Sequence, residues 1–521
     1  MRRFVPLILV LLLLSGGALA FSGQGTRLDP ASLPEGWVVT GDWLASPGDL
    51  EVFSERLGVQ VELLRNYVLK APQGTIQVNL VLTATEEEAE DLYELFLSFH
   101  SPEEVARQGR RVVEMVTQQP GLLEPARAAL RFLPEEVDPA KGAALKEYLA
   151  RWSWPVMDWG DLTARLSQEL GRYRLFLVGE SHGTAFNQEL EGALLEFFVR
   201  EGGVRWLLLE LPPSIAGFLQ KYLETGDEEL LKLAFAETRH TYFYTQERYN
   251  LWRRLRALQE SLPEGERLHL VGLDVEQQPI LALRYLQHLL DQEERGSLSE
   301  TGFSQIQQVL RGEVSYPDLF AAAEFVWGLL LELEEEQVQR ELGDLTFRFE
   351  LVLSSLLAGL RLKTMEDPLE YYAYRDRTMY SNFLKQVPLG GGTAFFGQWG
   401  LNHVFQGPQL GVEWLAARIN SRDEFAGTVC SLVLVYADSQ RLSQDGTAVE
   451  LLSTYASGMQ ILAELAGGKP LLVRLDGEGS PFSQELIWKL ATPQPASGVT
   501  TDYFQYLLYV PGAQAAQPLN W

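Results

Sequence analysis

After about residue 150 the chain repeats one pattern, a short continuous apolar run followed by a helical stretch. The runs are Leu175–Val178, Trp206–Leu209, Leu268–Val271, Thr393–Phe396, Cys430–Val435, Leu471–Val473 and Tyr503–Val510. A strand with one face in water alternates polar and apolar residues, whereas a strand that is apolar throughout has both faces covered. Parallel strands joined through helices meet that condition. The pattern therefore predicts an α/β domain with a mostly parallel sheet covered by helices, over about residues 151–521. Residues 280–385 read as helix, as in Leu351–Leu362, and are expected to form a helical insertion.

The upstream part, residues 21–150, has a different rhythm. Val59, Val61 and Leu63 alternate, as do Ile76, Val78 and Leu80, with the turn residues Ala71-Pro72-Gln73-Gly74 between them. That spacing predicts an antiparallel pair. Thr85 with Glu88, and Ser101 with Glu104, have capping-box spacing and predict two helix starts. A small α+β domain is expected there, and it carries no chemical constellation.

Charge excludes several partner classes. The 521 residues include 43 basic and 70 acidic side chains, a formal net charge of -27. Such a field argues against nucleic acid and against anionic lipid. A hydrophobic fraction of 46% supports a large core. The single cysteine, Cys430, rules out an intrachain disulfide and a cysteine-based zinc site. At the N-terminus, Arg2-Arg3, the apolar run Phe4–Leu14 and Ala18-Leu19-Ala20 have the layout of a signal peptide over residues 1–20. The expectation is an exported protein, secreted or in the cell envelope, with membrane contact only where that segment is retained.

The residues that follow the apolar runs carry the chemistry. Leu175–Val178 leads into Gly179-Glu180-Ser181-His182-Gly183, and Trp206–Leu209 leads into Glu210. Leu268–Val271 leads into Gly272-Leu273-Asp274-Val275-Glu276, and Thr393–Phe396 leads into Gly397-Gln398-Trp399-Gly400-Leu401-Asn402-His403. In a parallel sheet these ends share one edge, where open α/β folds bind ligands. Glu180, His182, Glu210, Asp274, Glu276 and His403 are thus candidates for one crevice. A neutral imidazole can take a proton from water while carboxylates orient it, and a second histidine can protonate a leaving group. Ser181 also stands at the middle of a Gly-x-Ser-x-Gly pattern, the layout of a nucleophile elbow. Two histidines among carboxylates are equally of the type that holds a divalent cation. Arg239, His240, Tyr242 and Tyr244, with Phe243, Tyr249 and Trp252, form a basic and aromatic cluster suited to contact a substrate.

Taken in order, these motifs resemble the erythromycin esterase-like family. The resemblance rests on Gly179-Glu180-Ser181-His182-Gly183-Thr184, the strand ending in Glu210, and Gly272-Leu273-Asp274. It rests also on Arg375-Asp376-Arg377-Thr378-Met379-Tyr380-Ser381-Asn382, on Phe395 to His403, and on the closing segment Asp502–Val510. It covers about residues 155–515 and leaves the upstream unit outside. The wider superfamily includes haem-binding lipoproteins and TIKI-type metalloproteases. The resemblance implies a Glu/His centre of Glu180, His182, Glu210 and His403 that activates water against an ester, lactone or amide. Arg375 would stabilise negative charge, and the substrate would be a small molecule or peptide. A single residue separates Glu180 from His182, as in the haem-binding members. The resemblance therefore also implies a second reading, a non-catalytic protein that binds haem or a divalent metal.

Overall fold

The structure, a computed structural model, describes residues 27–45, 47–133, 139–236, 238–239, 241–292, 311, 319–388, 393–409, 411–443, 445–452, 459–484 and 498–520. The expected signal segment lies outside the described residues. Two sheets organise what is described.

The first body holds β1 (Arg27–Leu28), β2 (Val38–Leu44), α1 (Pro47–Leu57), β3 (Val61–Ala71), β4 (Gly74–Thr83), α2 (Glu86–Leu97), β5 (Val105–Gln108), β6 (Arg111–Val116), α3 (Leu123–Ala129) and β7 (Phe132–Leu133). Its main sheet is antiparallel in the order β2-β3-β4-β6-β5. β3 and β4 close a hairpin in which Ala71 faces Gly74, so Pro72 and Gln73 form the turn that the sequence indicated. Both faces of this sheet are covered. Tyr67, Leu69, Ile76, Val78, Leu80, Val113 and Met115 pack on one side. Val61, Leu64, Val81 and Val112 pack on the other against Ala89 and Leu92 of α2. Thr85 caps α2 through a complete capping box with Glu88. The second expected helix start is corrected. Ser101 N does bond Glu104 Oε2 at 2.8 Å, but the segment then extends as β5. Val105–Gln108 pairs with Arg111–Glu114, and the open edge of β6 outweighs the local helix signal.

The second body begins with α4 (Pro139–Trp152), whose Leu145, Tyr148 and Leu149 sit in the core of the large sheet. It continues through β8 (Ser153–Pro155), α5 (Trp159–Leu166), β9 (Leu175–Glu180), α6 (Ala185–Arg200), β10 (Trp206–Leu209), α7 (Pro213–Thr225), α8 (Glu228–Ala236), α9 (Gln246–Ser261) and β11 (His269–Gly272). The helical stretch comprises α10 (Pro279–Gln292), α11 (Leu319–Glu332), α12 (Glu335–Leu342), α13 (Thr346–Leu362) and α14 (Pro368–Gln386). β12 (Phe395–Gly400), α15 (Leu415–Asn420), β13 (Val429–Ala437), the hairpin β14 (Ser439–Leu442) and β15 (Val449–Leu452), α16 (Met459–Ala466), β16 (Leu471–Arg474) and β17 (Tyr506–Pro511) complete it.

The large sheet runs β11-β10-β12-β9-β13-β17-β16-β8. β11 to β17 are parallel, while β16 and β8 are antiparallel at one edge. Helices cover both faces, which is why the strands are apolar throughout. Phe176 and Val178 of β9 face the core shared with α6, whereas Leu175 and Leu177 face the core shared with α14. β12 runs further than its apolar signal. Gly397 to Gly400 stay paired with Leu177 to Glu180, because backbone bonds to β9 carry a segment that lacks an apolar run. The chain moves outward from β9 to β10 and β11, then returns to insert β12 between β10 and β9. This reversal is a topological switch point, the place where open α/β folds bind ligands at the carboxyl ends of their strands.

Candidate active site

Glu180 ends β9, and the loop that follows turns back at Gly183. Gly183 has φ +94, and a Cβ there would stand 2.5 Å from the Leu442 carbonyl oxygen. Only glycine accommodates both conditions. Thr184 then caps α6 by accepting from Asn187 N at 3.3 Å. This tight exit brings His182 back over the end of its own strand. His182 Nδ1 lies 2.7 Å from Glu180 Oε1. A carboxylate can only accept, so Nδ1 carries a hydrogen, and in the neutral ring the lone pair falls on Nε2. Glu180 is itself held. Its Oε2 accepts from Gln398 Nε2 at 2.5 Å, and the same amide donates to the Asn187 carbonyl at 2.8 Å. Asn187 ties down the loop by donating to the Ser181 carbonyl at 2.8 Å, and the Tyr436 hydroxyl donates to Asn187 Oδ1 at 2.7 Å. The ring of Tyr242 stacks on the His182 imidazole, with centroids 4.7 Å apart and planes 10° from parallel.

Glu210 is the hub. Its Oε2 accepts from Gly400 N at 2.7 Å and stands 3.7 Å from His182 Nε2. Its Oε1 accepts from Arg375 Nη2 at 3.0 Å and lies 3.3 Å from His403 Nε2. Burial alone would raise its pKa, but the positive charges of His403 and Arg375 hold the carboxyl well below its usual range. Arg375, on α14, grips Asp274 with two bonds of 2.8 and 2.7 Å. This bidentate pair keeps the guanidinium charged despite burial.

The two histidines differ in kind. His403 is buried, with Asp376 Oδ1 2.9 Å from Nδ1 and Glu210 Oε1 3.3 Å from Nε2. Burial pulls its pKa down, but the Asp376 and Glu210 carboxylates outweigh that and raise it to about 10. His403 is therefore an imidazolium at neutral pH, and the 3.3 Å approach of Arg375 Nη1 to its Nε2 is a contact rather than a hydrogen bond. Asp376 Oδ1 also accepts from Leu415 N at 2.8 Å, which fixes the pair to α15. His182, with a quarter of its side chain exposed, is the histidine with an open nitrogen.

The structure thus gathers Glu180, His182, Glu210, Asp274, Arg375, His403 and Tyr242. It does not gather the rest. Glu276 turns away and accepts from Ser214 N at 2.8 Å and Ser214 Oγ at 2.6 Å, capping α7. Its burial, with Asp274 nearby, lifts its pKa to about 8 against those bonds. Tyr244 is buried beside Phe235, and exposed Arg239 lies 5.9 Å from the Tyr244 ring. His240 lies outside the described residues. No hydrogen bond links the Ser181 hydroxyl to either histidine among the described residues, so the nucleophile-elbow geometry is not formed. Asp376, Gln398, Asn187 and Tyr436 contact this cluster, and the sequence does not single them out as site residues. Asp376 adjoins Arg375, and Gln398 stands in the glycine-rich run before His403, so both carried a weak signal.

The donor set can be tested against a metal. Both oxygens of Glu210 and both of Glu180 are already engaged by protein donors. Among the described residues no group of three or more His, Cys, Asp or Glu converges for a cation. The residues present therefore do not fit a resident metal.

Neither a protein-family model nor a curated protein sequence matches the chain. Solved structures do. A Bacillus cereus protein determined as a structural-genomics target superposes with a TM-score of 0.55 at 15% identity, over 73% of this chain and 99% of its own. A succinoglycan biosynthesis protein superposes with a TM-score of 0.53 at 11% identity, over 74% of this chain and 99% of its own. A mutant of the erythromycin esterase EreC, in its open conformation, gives a TM-score of 0.48 at 14% identity, over 70% of this chain and 97% of its own. The chain shares its fold with the first two.

Proposed function

We propose that the chain is a hydrolase of a neutral or cationic ester, lactone or amide, with His182 as general base. The observation that supports this most is the Glu180–His182 contact, which fixes a hydrogen on Nδ1 and so places the lone pair of the neutral ring on Nε2, 3.7 Å from Glu210 Oε2. In the proposed reaction Nε2 takes a proton from water as the water oxygen bonds to the carbonyl carbon. Glu180 balances the imidazolium that forms. The tetrahedral intermediate then breaks its bond to the alkoxide or amine, which leaves with the proton from Nε2. Arg375 and His403 supply the nearby positive charge, although both are largely committed to carboxylates.

The charge of the site guides the substrate class. Glu180, Glu210, Asp274 and Asp376 outnumber Arg375 and the His403 imidazolium, so an anionic substrate meets net repulsion. Tyr242, stacked beside the base and kept protonated by burial and Glu210, offers an apolar ring with a hydroxyl for the substrate. Export, supported by the pattern of residues 1–20, is part of the same proposal, with the substrate met outside the cytoplasm.

The test is hydrolysis of a panel of neutral esters, lactones and amides by wild type and His182→Ala. Turnover should fall by about 10²–10⁴-fold in the variant, with its circular dichroism unchanged. Equal turnover in both proteins would sink the proposal. No turnover in either, with a Soret band on adding haem, would support the binding-protein reading instead.

A further inference from the structure

A second site lies at the edge of the large sheet, away from the carboxylate–histidine cluster. A cavity of about 470 Å³ runs along β11, between α7 and α13, and Leu270, Val271 and Gly272 form part of its wall. β11 is an edge strand, and its odd-numbered residues bond β10, as His269 N does to Arg205 O at 2.7 Å. Its even-numbered residues therefore point their backbone groups outward, where an edge must be covered or paired.

Two glutamines cover most of it. The Gln220 amide acts as a one-residue strand, accepting from Leu270 N at 2.9 Å and donating to Leu268 O at 3.4 Å. Gln386 Nε2 donates to Gly272 O at 2.8 Å. Between these caps remain the Leu270 carbonyl and the Gly272 amide, which have no partner among the described residues. That pair is one acceptor and one donor, two residues apart. It matches one extended residue whose own N–H and C=O both face the strand. Antiparallel pairing would need N–H and C=O of the same β11 residue, and the caps have taken one of each. Only the parallel orientation stays open, and only for one residue. The wall opposite is apolar with a cation. Tyr285, Leu351 and Val352 line it, and Arg348, hydrogen-bonded to the Tyr285 hydroxyl, forms no ion pair among the described residues.

We propose that this cavity binds an N-acylated amino acid with an apolar side chain. Its amide N–H donates to the Leu270 carbonyl, and its carboxylate accepts from Gly272 N–H. The side chain lies against the apolar wall, and Arg348 balances the carboxylate charge. The cavity is a ligand site separate from the proposed hydrolytic centre and does not depend on it.

The test is calorimetric titration of the full chain with N-acetyl-leucine, N-acetyl-phenylalanine and N-acetyl-valine. At least one should bind, and Arg348→Ala should weaken it by about tenfold, with circular dichroism and thermal melting unchanged. The corresponding N-acetyl amino-acid amide, which lacks the carboxylate, should bind more weakly to wild type and equally to wild type and Arg348→Ala. Gln220→Ala should uncover Leu268 O and Leu270 N, so an N-acetyl tripeptide that wild type rejects should now bind. Absence of binding by all three N-acetyl amino acids at millimolar concentration would overturn the proposal. So would binding that Arg348→Ala leaves unchanged.

Discussion

The large sheet buries charge at both of its ends, to opposite effect. At the end where β9 begins, Glu169 Oε1 accepts from the Tyr506 hydroxyl at 2.8 Å and pairs with Arg474 Nη1 at 3.1 Å, and its Oε2 pairs with Arg172 Nη1 at 3.1 Å. Arg172 and Arg474 also reach Asp476, each at 2.8 Å. Charges here are matched within the network, which ties β16 and β17 to the entry of β9. At the other end Glu180, Glu210, Asp274 and Asp376 meet Arg375 and His403, and carboxylates are in excess. One group there, His182 Nε2, has no hydrogen-bond partner within the cluster, its nearest carboxylate oxygen standing 3.7 Å away. A closed network stabilises a fold, whereas an unbalanced one with an open base can do chemistry.

The sharpest way to break this contrast is to damage the closed network. Glu169→Ala should cost about 1–3 kcal/mol in denaturant unfolding, because the Tyr506 hydroxyl and Arg474 lose a buried acceptor while both arginines keep Asp476. Turnover per folded molecule should stay at the wild-type level. A loss of turnover without a loss of stability would mean that the two ends are coupled. Next in size, Glu180→Gln should lower turnover by about 10²-fold, since an amide can also donate to Nδ1 and so favour the wrong tautomer. Its melting temperature should stay close to wild type. Unaltered kinetics would remove Glu180 from the proposed mechanism.

A smaller effect is expected at Gly400. A Cβ there would stand 3.0 Å from His182 Nε2 and 3.4 Å from Glu210 Oε2, so Gly400→Ala should displace the base by a few tenths of an ångström. Turnover should fall by about tenfold, with the fold intact. Turnover at the wild-type level would show that the base has room to spare.

The smallest expected effect is on pH dependence. His403 is raised from 6.5 to about 10, so its protonated form stabilises the folded state. That contribution is complete below the unfolded value of 6.5, declines above it, and is lost as pH rises through about 10. The melting-temperature gap between wild type and His403→Gln should therefore be widest near neutral pH or below and narrow toward pH 10. A gap independent of pH would contradict the imidazolium assignment.

Much of the fold was legible because burial leaves a mark on sequence. Leu175–Val178, Trp206–Leu209 and Cys430–Val435 are apolar without alternation, and each is a strand with helices on both faces. The alternating residues around Pro72-Gln73 likewise marked the β3–β4 hairpin. Ser101–Glu104 misled because its capping bond is local and real, while pairing with β6 depends on residues further along the chain. Glu276 and Glu210 both follow apolar runs, yet one caps α7 and the other is the hub of the site. Their chain environments are alike; their neighbours in space are not.

Acidic and histidine residues at the ends of parallel strands are written into the chain, because strand ends follow from where apolar runs stop. Which of those residues does what depends on how distant segments pack. His182 and His403 each follow a strand and are the same side chain. Protonation is set by charges within a few ångströms, and those come from remote segments. Asp376 on α14 and Glu210 after β10 make His403 a cation, whereas Glu180 orients His182 and leaves its far nitrogen free.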